Sequence, residues 1–213
     1  MPKDPRVPLP KFSGVVKLLC VSAVLFLGAL VALFLFRPGA AVTVPVPETL
    51  PDWITEDLIP VNDWSRPGRP MTAVNGIVVH YVGNPGSTAK QNRSYFAKLA
   101  LTHETYASSN FIIGLEGEIV LCVPIGEVAF CSNDRNDDTL SIEVCHPDDT
   151  GEFTPESYQA LVKLTRWLAE FYELDEENIL RHYDIRGKEC PRYFVQNPEA
   201  WEDFKTEVFA PLK

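Results

Sequence analysis

Beyond about residue 52 the hydrophobic positions fall into two rhythms. Short apolar runs rich in β-branched residues and punctuated by Gly occur at GIVVHYV (76–82), NFIIGLEGEIVLCVP (110–124), LSIEVCH (140–146) and NILRHYDI (178–185). Each predicts a strand, and the break at L-E-G-E turns the second into a hairpin. Helical spacing lies between and after them. Thr88 and Gln91 form a capping box that opens a helix over TAKQNRSYFAKLALTHE. Thr154-Pro155-Glu156 places a cap before a Pro at the first helical position, and the helix that follows sets Tyr158, Leu161, Val162, Leu168, Phe171 and Tyr172 on one stripe. Asn197-Pro198 repeats the device for a last helix carrying Trp201, Phe204 and Val208. The pattern predicts an α/β fold: a single mixed central β-sheet flanked by helices.

The N-terminal part has a different pattern. Leu18 to Phe36 is a run of 19 uncharged, mostly apolar residues, which at about 1.5 Å per residue is enough to cross a bilayer. A transmembrane helix over 15–36 is the reading this favours. Its rival is a cleaved signal peptide followed by secretion, since PGAAVT offers small residues for cleavage, but the run exceeds the roughly 7–15 residues of a signal core. Lys3, Arg6, Lys11 and Lys17 precede the span against Asp4 alone. The excess of positive charge puts a short tail (1–14) in the cytoplasm and the rest outside, in a single-pass arrangement at the cell membrane. Pro38, Pro45, Pro47 and Pro51 then predict an extended stalk over 37–52, leaving 53–213 as the external domain.

Charge narrows the partners. The chain has 19 basic and 29 acidic side chains, and five of the basic ones but only Asp4 precede residue 38. The outer part is therefore about −14, which excludes nucleic acid or another polyanion held by charge.

Candidate chemistry comes from histidine and cysteine. His80 ends a buried run before the loop VGNPGS, His182 sits within NILRHYDI, and Cys190 follows it by eight residues. Two imidazoles and a thiolate make a three-ligand set with a fourth tetrahedral position open, the arrangement of catalytic rather than structural zinc. Such a cation lowers the pKa of a bound water and polarises a carbonyl. Glu143 lies on an apolar strand, where an unpaired carboxylate is costly. It either pairs with an arginine or serves as a proton carrier. His103, beside Glu104, reads as a surface residue, whereas His146 before Pro147 either borders the cleft or is structural. Cys122 and Cys131 either bridge a short loop or stay free thiols.

VVHYVGN, SSNFIIGLEGEI, LSIEVCHP and RHYDIRGKECP, in this order and separation, resemble the zinc-dependent N-acetylmuramoyl-L-alanine amidases. That family includes phage amidase-type lysozymes and peptidoglycan recognition proteins, and the likeness is nearest to amidases of Gram-positive, Clostridium-like bacteria. It covers about residues 65–195. The resemblance implies that His80, His182 and Cys190 ligate Zn²⁺, that Glu143 is the acidic catalytic residue and that Lys188 is the basic one. In an extended segment Lys188 and Cys190 face the same side, so the ammonium can stabilise an oxyanion. Asn84, Ser109, Asn110 and His146 are the candidates for substrate contact. One departure stands out. Phage-type members carry Tyr before the hairpin Asn-Phe, and here the residue is Ser109, so only Tyr106 remains to reach in. The implied activity is hydrolysis of the amide between N-acetylmuramic acid and the L-alanine of the stem peptide, with peptidoglycan as the partner. The alternative is a non-catalytic peptidoglycan-binding module.

Overall fold

The computed structural model describes residues 44–211. The expected tail, membrane helix and first part of the stalk lie outside the described residues. Among those described, no helix is long and apolar enough to cross a membrane.

Six strands form one sheet: β1 (Ile54–Glu56), β2 (Ile77–Tyr81), β3 (Phe111–Ile113), β4 (Ile119–Leu121), β5 (Leu140–Val144) and β6 (Ile179–Arg181). Their order is β1-β4-β3-β5-β2-β6. Only β3 and β4 pair antiparallel, as the hairpin; the other neighbours run parallel. The predicted mixed α/β sheet is therefore present, with β1 added as an edge strand too short to show a period. At the hairpin tip Gly117 holds φ +80°, and a Cβ there would stand 2.8 Å from the Glu156 carbonyl oxygen. The turn therefore needs glycine twice over, for its backbone and for the helix packed behind it.

The helices are α1 (Ala89–Thr102), α2 (Pro155–Tyr172), α3 (His182–Arg186), α4 (Arg192–Gln196) and α5 (Pro198–Phe209). The Thr88–Gln91 box opens α1 as predicted, with Gln91 N–H donating to Thr88 Oγ1 and Thr88 N–H to Gln91 Oε1. Thr154 caps α2 by accepting from Ser157 N–H. Asn197 does not cap α5. It also terminates α4, and its side-chain amide turns back to the Tyr193 carbonyl instead. On α2 the stripe is buried at Leu161, Val162 and Leu168, but Phe171 stays 38% exposed at its margin.

Strand alternation sorts the sheet into two faces. Val79, Phe111, Ile113, Ile142 and Val144 join Leu161, Leu168, Trp201 and Phe204 of α2 and α5 in the main core. Ile112 faces the other way and packs with Ala89, Phe96 and Leu99 of α1. On that second face His80 and Glu143 stand side by side in register on β2 and β5. The site forms at this end of the face, with Phe96 of α1 on its wall.

Two further expectations change. The run NILRHYDI is a strand only to Arg181; His182 opens a helix. Asp184 accepts from the Arg181 backbone N–H at 2.8 Å and also pairs with its guanidinium, so local capping replaces the ladder at the sheet edge. Residues 44–52 of the expected stalk lie along the domain rather than standing free. Val44 and Leu50 are partly buried against the core, and Tyr172 donates its hydroxyl to the Pro45 carbonyl at 2.7 Å.

Candidate active site

Helix α3 explains how His182 and Cys190 meet. Gly187 ends its single turn in the left-handed conformation at φ +68°, where only glycine is unstrained, and the chain reverses. Tyr183 N–H then donates to the Cys190 carbonyl at 2.9 Å, closing the loop. Between them the backbone is not extended as expected: Cys190 N–H reaches the Lys188 carbonyl at 2.6 Å, a three-residue turn. Lys188 and Cys190 nonetheless line one cleft together with His80, Glu143 and His182.

That cleft encloses about 460 Å³. On its floor one ligand atom each from His80, His182 and Cys190 lies within 4.8 Å of the others. His80 Nδ1 is 3.8 Å from Cys190 Sγ, and the two imidazole rings are 4.7 Å apart. All three residues are buried. His182 Nδ1 is enclosed and has no hydrogen-bond partner, which is costly for a polar atom unless something else meets it. Two nitrogens, one of them orphaned, and a sulfur at these separations fit a divalent cation of zinc type.

The electrostatics agree with this reading. Burial lowers the His80 pKa well below the usual imidazole value, and positive charge on His182 and Lys188 adds to the effect. Burial likewise takes His182 down to about 4, helped by Lys188 and Arg186. Both rings are therefore neutral, as ligands must be. Burial and then Glu143 push the Cys190 thiol up to about 12, so only a cation replacing its proton makes it a thiolate near neutrality.

Glu143 sits beside this trio without an arginine. Burial raises its carboxyl from 4.5 to about 7, while a hydrogen bond from Cys131 and the charge of Lys188 pull the other way. The residue as a whole is only partly buried, yet its Oε2 is shut off from solvent and unpartnered, so the burial of the carboxylate itself sets the shift. Lys188 is exposed at the mouth of the cleft.

The expected substrate contacts fare less well. Ser109 is fully buried, donating to the Phe111 carbonyl at 2.7 Å, and Asn110 spends its amide on the Val123, Pro124 and Glu127 carbonyls. Both brace the hairpin, since a polar side chain inside the sheet must satisfy itself on nearby backbone. Neither lines the cleft. His146 is 1% exposed, bonded through Nδ1 to the Asp148 carbonyl and tilted against Tyr81; it does not itself line the cleft. Asn84 is exposed on the loop, one residue beyond Gly83, which does line the cleft. Tyr106 also lines it, stacked on Trp64 at 4.5 Å, and His103 stacks on Trp64 at 4.7 Å. Cys122 and Cys131 are free thiols: Cys122 packs beside Ile112, and Cys131 lies on the cleft wall.

Sequence reasoning missed the segment 130–136, which contributes Phe130, Cys131, Asn133 and Asn136 to the lining. It has no hydrophobic period, and its contacts with the site span 12 to 52 positions.

Three comparisons bear on this geometry. The family model described as N-acetylmuramoyl-L-alanine amidase matches residues 70–193. The N-acetylmuramoyl-L-alanine amidase BlyA of Bacillus subtilis (strain 168) is 30% identical over 179 residues, covering 74% of this chain and 47% of its own. The chain thus spans about half the length of the curated relatives it matches. The solved catalytic domain of XlyA superposes with a TM-score of 0.62 at 27% identity, covering 73% of this chain and 98% of that domain. The amidase LysC from Clostridium intestinale URNW shares the fold, with a TM-score of 0.56 at 20% identity over 72% of this chain and 99% of that one.

Proposed function

We propose that this chain, which belongs to the N-acetylmuramoyl-L-alanine amidase family, hydrolyses the amide joining N-acetylmuramic acid to the L-alanine of the peptidoglycan stem peptide. The observation that carries the reading is the convergence of His80, His182 and Cys190 on one point of a cleft that Glu143 and Lys188 also line. These three residues would hold Zn²⁺. When bound, the cation supplies Lewis acidity toward the scissile carbonyl and acidifies water.

The chain's own groups divide the remaining work. Glu143, with a carboxyl near neutrality, accepts a proton from the attacking water and returns it to the leaving amine of L-alanine. Lys188, at the mouth of the cleft, would stabilise the negative charge that develops on the carbonyl oxygen. Tyr106 and Phe130 provide an apolar wall for the substrate. The hairpin offers no Tyr, since its Ser109 is turned into the sheet, and Tyr106 lines the cleft in its place.

The 15–36 run anchors the domain in the membrane with the N-terminus in the cytoplasm, and the cleft faces the cell wall. Zinc analysis of the purified chain, with muropeptide digestion before and after chelation, tests the core of the reading. One equivalent of zinc and chelator-sensitive release of stem peptide are expected. Peptidoglycan binding without any cleavage in the zinc-loaded protein would instead mark a binding module.

A further inference from the structure

Between β4 and β5 the chain reads F-C-S-N-D-R-N-D over 130–137. Three consecutive side chains of this polar stretch each reach a different member of the cleft. Cys131 Sγ donates to Glu143 Oε1 at 3.5 Å, Ser132 Oγ meets His80 Nε2 at 3.2 Å, and Asn133 Oδ1 meets His182 Nε2 at 2.6 Å. We propose that Cys131-Ser132-Asn133 is a positioning segment: it fixes which nitrogen of each histidine carries the proton and aims the Glu143 carboxylate. The inference rests on the zinc reading above and adds residues to it.

The chemistry of the contacts supplies the argument. An amide oxygen has no proton to give, so at 2.6 Å His182 Nε2 is the donor and Nδ1 keeps its lone pair. That Nδ1 is the enclosed atom without a partner. His80 is oriented in the same sense. Its Nδ1 faces Cys190 Sγ, and its Nε2 is presented to a hydroxyl that can accept. A partner on the far nitrogen of a ligating histidine fixes both ring orientation and basicity.

The segment is itself held firmly. Asn136 Oδ1 accepts from the backbone N–H groups of Cys131 and Ser132 at 3.0 and 2.6 Å. Phe130 N–H donates to Ser108 Oγ, and Asp134 pairs with Arg186 of α3 at 2.8 Å. Asn133 adopts φ +52°, a conformation that Asn, Asp and Gly tolerate better than other residues.

Substitutions in the full-length chain separate positioning from folding. Asn133→Gly keeps the positive φ accessible and removes the acceptor. Asn133→Asp keeps both. Zinc affinity is read by competition with a chromophoric chelator, and ligand geometry by the absorption spectrum of the Co²⁺ form. Asn133→Gly and Ser132→Ala should bind zinc about 10–100-fold more weakly with a changed Co²⁺ spectrum, while Asn133→Asp stays within about threefold of wild type or binds tighter. Cys131→Ala should leave zinc affinity within about threefold and lower kcat at unchanged KM, with partial rescue by Cys131→Ser. Wild-type affinity in Asn133→Gly overturns the inference, as does an equal loss in Asn133→Asp. If Asn133→Gly does not fold, Ser132→Ala and Asn133→Asp decide by the same measurements. A wild-type chain that binds no zinc refutes the metal reading itself, and this inference with it.

Discussion

Replacing Glu143 by Gln in the metal-free chain should remove a pH-dependent contribution to its stability. Burial raises the carboxyl from 4.5 to about 7, so the folded protein holds this proton more tightly than the unfolded chain does. The sign follows. The protonated group adds stability fully below about pH 4.5, and the contribution is lost as pH rises through 7. A shift of this size corresponds to about 3 kcal/mol between the two plateaus. His80 and His182 titrate in the opposite sense, because their lowered values cost stability as pH falls below 6.5. The histidine contributions are common to both proteins and cancel in the wild-type minus Gln difference, and the thiols that Glu143 also raises, Cys131 and Cys190, stay protonated in the folded chain through this range. Urea unfolding can be followed by tryptophan fluorescence, since Trp53, Trp64, Trp167 and Trp201 all lie in the described domain. Between pH 4.5 and 8 the wild type should lose about 3 kcal/mol relative to Glu143→Gln, with m-values unchanged. A difference flat to within about 0.5 kcal/mol would show that the carboxyl is solvated like any surface Glu, and its role as a base poised near neutrality would go with it.

Lys188→Ala should keep one zinc per chain and an unchanged melting curve while kcat falls roughly 10²–10³-fold, the usual cost of losing one oxyanion donor; near-wild-type turnover removes Lys188 from the mechanism. Phe194 is 1% exposed and meets the rings of Phe153, Trp201 and Phe204. Phe194→Ala should therefore cost about 3–5 kcal/mol in denaturant unfolding, and a loss under about 1 kcal/mol would mean this packing is not as tight as it looks. Protease added to wall-stripped cells should release a soluble fragment that begins ahead of Val44, because Val44 and Leu50 already pack on the domain; a fully protected chain would refute the membrane topology.

Much of this protein was determined locally and so could be read along the chain. The strands at 77–81, 111–113, 119–121 and 140–144 follow from β-branched runs, and the caps of α1 and α2 follow from Thr88 and Thr154, whose partners lie three residues away. The candidate trio of His80, His182 and Cys190 was legible from residue type and spacing together with the family resemblance. Tertiary structure decided what depended on distant neighbours. Ser109 and Asn110 look like cleft residues in sequence, but their partners lie on Ser141, Val123 and Glu127, and those bonds draw them into the sheet. His182 looked like a strand residue until Asp184 capped a helix at that position on the sheet edge. Cys131, Ser132 and Asn133 gave no periodic signal at all. Their role exists only because β2, β5 and α3 bring His80, Glu143 and His182 beneath them, and a polar side chain's task is set by whichever donor or acceptor the fold places within about 3 Å of it.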